Sequence, residues 1–69
     1  MANEVVIGGR RYWIVSEPFA SGWRAQVLEV LDAEGRKTRD LGIEATAETR
    51  SAADEGALGQ LQRQVRNLH

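Results

Sequence analysis

The side chains of this chain best suited to recognition chemistry are Arg10, Arg11, Tyr12, Trp13, Trp23 and Arg24, with Arg36 and Lys37 further on. Guanidinium groups grip phosphates and carboxylates through forked N–H donors, and a lysine ammonium adds a compact positive charge. Tyr and Trp rings stack on exposed bases or anchor protein interfaces. Three readings follow from that mixture. Trp13 and Trp23 could fill a core beneath a helix, where the small Ala53 and Ala57 leave room for large rings. The same residues could form a protein interface. They could also form a basic, aromatic surface for RNA or DNA.

Other reactive residue types are present without the company that catalysis needs. A nucleophilic serine requires a base within reach. Ser16, Ser21 and Ser51 have only one histidine in the chain, His69, and it is the last residue. Glu17, Glu29, Asp32, Glu34 and Asp40 are the candidates for acid–base work, which requires burial to separate their pKa values. Glu29 stands out because it interrupts an apolar strand face, and the simplest role for it is a cross-strand ion pair with Arg39 or Arg11. Gly8-Gly9-Arg10-Arg11 has the composition of a phosphate loop. Such loops lead into a helix N-terminus, whereas the residues here lead into the strand-like YWIV. No enzyme activity, cofactor or metal site is expected.

The elements that position these side chains follow from periodicity. The β-rich residues 4–7 and 10–17 flank Gly8-Gly9, a pair suited to the positive φ angles of a tight hairpin turn. That register sets Val5 opposite Tyr12 and Ile7 opposite Arg10. Along the second strand Arg11, Trp13 and Val15 share one face, and Arg10, Tyr12, Ile14 and Ser16 the other. Pro18 is expected to end this strand, with Phe19-Ala20-Ser21-Gly22 as the connection. Residues 23–31, WRAQVLEVL, form the third strand. Trp23, Ala25, Val27 and Leu31 lie on one face with Glu29 among them, and Arg24, Gln26, Leu28 and Val30 on the other. Asp32-Ala33-Glu34-Gly35 reads as a turn into a charged fourth strand, residues 36–43. Residues 49–67 form an amphipathic helix, with Thr49 as an N-cap candidate and Ser51 as a second, and with Glu48, Asp54 and Glu55 near its start and Arg63 and Arg66 near its end to suit the helix dipole. Its apolar stripe is Ala53, Ala57, Leu61, Val65 and Leu68, flanked by Leu58. Gly56 and Gly59 interrupt it, as a close approach to the sheet would allow.

The whole chain has 69 residues, with nine Lys and Arg against ten Asp and Glu, no cysteine and a formal charge of −1. One domain with a thin core fits that length. Disulfides are excluded, which leaves good packing or self-association as support. The charge balance is not that of a general nucleic-acid binder. No apolar run approaches the ~20 residues of a membrane span, and the N-terminus lacks the features of a secretory signal. A cytoplasmic location is the expectation.

Two segments carry a family likeness. YWIVSEPFASGWRAQVLEV resembles the opening hairpin of HicB-type antitoxin domains, and ETRSAADEGALGQLQRQV resembles the helical segment that follows it. The likeness covers residues 12–30 and 48–65. It implies a role in neutralising a small toxin ribonuclease, and in that family operator DNA is bound through a further C-terminal module. DAEGRKTRDLGI stands where those domains carry a Pro-Gly-Cys-like segment. A second likeness is to the strand–strand–strand–helix half of double-stranded RNA-binding domains, through Ala52, Ala53, Ala57, Leu58 and Leu61. The acidic TRSAADE replaces the lysine-rich helix start of those domains.

The expected fold is α+β: a four-stranded antiparallel meander with one C-terminal helix across one face. The expected function is a small non-catalytic protein-interaction module, antitoxin-like, working as a homodimer through a sheet face or an edge strand. The alternative is an RNA- or DNA-binding protein using the basic and aromatic residues named above.

Overall fold

A computed structural model describes residues 2–67. The chain forms β1 (Ala2–Ile7), β2 (Arg10–Phe19), β3 (Gly22–Val30), β4 (Thr38–Ala47) and α1 (Arg50–Asn67). The strands make one antiparallel sheet in sequence order, and α1 lies across one face of it. This is the expected ββββα meander.

Each connection has a local cause. Gly8 and Gly9 take φ values of 60° and 79°, so β1 and β2 join by a two-residue turn and Val5 pairs with Tyr12. Strand β2 runs further than expected, through Pro18 to Phe19, leaving only Ala20 and Ser21 as the turn into β3. Proline is tolerated there because β1 reaches no further along β2 than Val15. Beyond that point β2 is an edge, where a missing N–H costs no ladder bond. Strand β3 stops at Val30, and Leu31 is exposed rather than continuing the inner face.

Strand β4 starts two residues later than expected and continues to Ala47. The Asp32 carboxylate explains the late start. It accepts the backbone N–H groups of Arg36 at 2.8 Å and Lys37 at 3.2 Å, which binds both residues into the loop. Halfway along β4 the register changes. Gln26 faces Glu44 but Leu28 faces Asp40, so Leu41, Gly42 and Ile43 stand against Val27 alone. The Asp40 carboxylate closes this bulge by accepting the Gly42 N–H at 2.8 Å.

Helix α1 begins as the sequence implies. The Thr49 hydroxyl accepts the N–H of Ala52 at 3.2 Å, and its carbonyl accepts that of Ala53 at 3.1 Å. The first turn itself contains no acidic residue. Asp54 lies further in and instead accepts a bond from the Asn3 amide, tying the helix to β1. Ala53, Ala57 and Leu61 are fully buried against Tyr12, Ile14, Ala25, Val27 and Ile43, with Leu58 and Val65 packed beside them. Leu68 lies outside the described residues. The two alanines bring the helix so close that a Cβ at Gly56 would stand 3.1 Å from that of Ala45. A Cβ at Gly59 would meet nothing within 4 Å.

Candidate interaction surface

Residues opposite one another on antiparallel strands share a face, so the register assigns every side chain. The helix side carries Val5, Ile7, Tyr12, Ile14, Ser16, Trp23, Ala25, Val27, Glu29, Leu41, Ile43, Ala45 and Ala47. The other side is built in cross-strand rows. The first is Val6, Arg11, Val30 and Thr38; the second is Glu4, Trp13, Leu28 and Asp40. Val15, Gln26 and Glu44 form the third, and Glu17, Arg24 and Thr46 the fourth. Among the described residues, no helix or strand covers this second side. The loop after β3 touches it at Trp13, whose ring lies so near Gly35 that a Cβ there would come within 2.7 Å.

The eight residues singled out from the sequence do not form one surface. Arg11, Trp13 and Arg24 lie on the open side. Arg10, Tyr12 and Trp23 lie on the helix side, Tyr12 buried in the core and Trp23 packed against its margin. Arg36 and Lys37 belong to the loop between β3 and β4. The two tryptophans are thus on opposite faces, and only Trp23 adjoins the helix-side core.

The open-side arginines are engaged within the chain. Arg11 donates to Glu4 through Nε at 2.9 Å and Nη2 at 2.8 Å, and through Nη1 to the Ala33 carbonyl at 3.2 Å. Trp13 Nε1 donates to the same Glu4 oxygen at 3.2 Å. Those contacts favour the ionised form, the Arg11 bond most and the Trp13 bond next, and hold the Glu4 carboxyl below the usual glutamate range. Arg24 pairs with Glu17, reaches Glu44 at 3.9 Å and lies over the Phe19 ring at 4.7 Å. Its guanidinium pKa is raised, chiefly by the hydrogen bond to Glu17. Glu4, Glu17 and Glu44 were the residues missing from the sequence reading of this surface. The partner for Trp13 was nonetheless available from the Gly8-Gly9 register, which sets Glu4 opposite it.

Glu29 is 6% exposed, and its carboxylate is shared by Arg10 at 3.3 Å and Arg39 at 2.5 Å. The expected pairing with Arg39 is present. Arg11 points from the opposite face, and the second partner is its neighbour Arg10. Both arginines are mostly exposed, so they lid a buried carboxylate at the margin of the core. Arg10, Tyr12, Glu29 and Arg39 line a small cavity of about 50 Å³ together with Leu61 and Gln64.

Among the described residues no group of His, Cys, Asp and Glu is arranged to hold a metal ion, and no helix is long and apolar enough to cross a membrane. Comparisons with protein-family models, with curated proteins and with solved structures found no match.

Proposed function

We propose that this chain is a small non-catalytic protein-interaction module that works as a homodimer. The observation that supports it is the second face of the sheet. Val6, Trp13, Val15 and Leu28 lie there with no helix over them, beside the already buried Val30, framed by the Glu4–Arg11 and Glu17–Arg24 pairs. An apolar centre with a charged rim and a Trp anchor is the composition of a protein interface. The likeness to HicB-type domains suggests an antitoxin-like role with a small protein partner in addition to self-association.

Nucleic-acid binding has less support. Arg11 and Arg24 already face carboxylates, and Arg10 and Arg39 are drawn to Glu29. A phosphate backbone would have to displace those partners. Sedimentation at high micromolar concentration is expected to give a dimer, and a strict monomer would refute the homodimer. Titration with RNA or DNA at low salt, where phosphate-driven binding is strongest, is expected to leave tryptophan fluorescence unchanged.

A further inference from the structure

The open sheet face is self-complementary along its central strand. On that side β2 presents Arg11, Trp13, Val15 and Glu17 in order: a cation, two apolar residues and an anion. Laid over a second copy running the opposite way, Arg11 meets Glu17, Trp13 meets Val15, and Glu17 meets Arg11. A twofold axis produces this arrangement, since every contact between residues i and j is then repeated between j and i. We propose that this face is the interface with a second copy of the chain. The axis crosses β2 at the level of Ile14, and the two sheets pack face to face with their helices outermost.

Size supports the assignment. The molecule is 34 × 27 × 16 Å, one helix-and-sheet thickness deep, so half of the sheet's side chains lack a packing layer. Four strands at ~4.8 Å spacing and ~3.3 Å per residue present on the order of 600 Å² on the open side. Two such faces together bury about 1,200 Å², which reaches the lower limit of a stable, specific interface. Pairing through an edge strand covers much less. Strand β1 has six residues, and the β4 edge is broken by the bulge at Gly42. Along β2 and its neighbours both signs are present as a second copy requires, Arg11 with Glu4 and Glu17 with Arg24, while the β4 margin adds the acidic Asp40 and Glu44.

The proposal rests on the homodimer reading above, and one set of variants separates the two. Arg11 and Glu17 have side chains 37% and 51% exposed, so their charges can be reversed without entering the core; the pairs with Glu4 and Arg24 inside each chain are lost in monomer and dimer alike, and the dissociation constant reads the contact between copies. R11E sets glutamate against Glu17 of the second copy, and E17R sets arginine against Arg11. Each is expected to raise the dimer dissociation constant by roughly tenfold or more, as like charges across an interface do. The double variant R11E/E17R restores opposite charges at both ends and is expected to return the constant to near its wild-type value. The edge control compares V6P with V6A. In a two-residue hairpin the flanking pair is hydrogen-bonded, which turns the Val6 N–H away from β2. Both variants trim the Val6 side chain from the open face, and only proline also blocks pairing through that edge. The dimer is expected to weaken alike in the two. A dimer that tolerates both charge reversals and V6A but is lost in V6P would overturn the face assignment and keep the homodimer. A wild-type chain that sediments as a monomer would overturn both, and would leave the face to a partner other than a second copy.

Discussion

The two helix glycines offer a direct test of how α1 sits on the sheet. Glycine in a helix interior costs about 1 kcal/mol relative to alanine, through backbone entropy. At Gly59 a Cβ would meet nothing within 4 Å, so G59A should recover most of that amount. For a domain of this size ~1 kcal/mol corresponds to a rise in Tm of about 4–8 °C. At Gly56 the same substitution sets a new methyl 3.1 Å from the Ala45 methyl, a few tenths of an ångström too close. A packed interior yields little, and that steric cost offsets the propensity gain, leaving Tm within about 2 °C of wild type. Thermal unfolding by circular dichroism at one fixed protein concentration measures both variants. Equal stabilisation by G56A and G59A would refute the close approach of α1 to β4. A lower Tm for G59A would refute the open helix face at that position.

Three further outcomes are expected. L61A empties the largest side chain buried by the helix and should cost ~2–5 kcal/mol, against roughly 3–10 kcal/mol for the whole domain, so urea unfolding should find a much lower midpoint than wild type. Removing both lids from Glu29 with R10Q/R39Q strands a buried carboxylate and should cost about 3 kcal/mol, whereas E29L should be near neutral; equal denaturation midpoints for the two variants would contradict the described burial. Glu4 binds its proton more weakly folded than unfolded, so its contribution to stability is present above the ordinary glutamate pKa and lost as pH falls through its lowered folded value. NMR titration should show that lowered midpoint, and R11Q should move it upward.

The meander was legible because its punctuation is local. Gly8-Gly9 and Asp32-Ala33-Glu34-Gly35 specify turns by their own chemistry, and alternation between them specifies strands. The ends of strands were less legible because distant residues set them. Pro18 is admissible within β2 only because β1 is short, a fact about another strand. Residues 36 and 37 have strand-like composition, but the Asp32 carboxylate holds them in a loop. For the interaction surface, period two already required that Arg10 and Arg11, or Tyr12 and Trp13, point to opposite faces. What it could not decide was which face the helix covers, because β2 and β3 are apolar on both. The bulge in β4 left no advance sign beyond Gly42 itself.

That bulge governs how the fold can change length. β4 carries two more residues than β3 between the paired positions Gln26–Glu44 and Leu28–Asp40, an even excess. The alternation of sides is therefore in phase before and after it: Arg39 and Ala45 both face the helix. Losing one residue there would turn Ala45 and Ala47 outward and drive Glu44 and Thr46 under α1, whereas losing two would leave every side chain on its own face. The lineage of this strand should thus be free to lengthen or shorten by pairs and barred from doing so by one, a parity rule written into its middle.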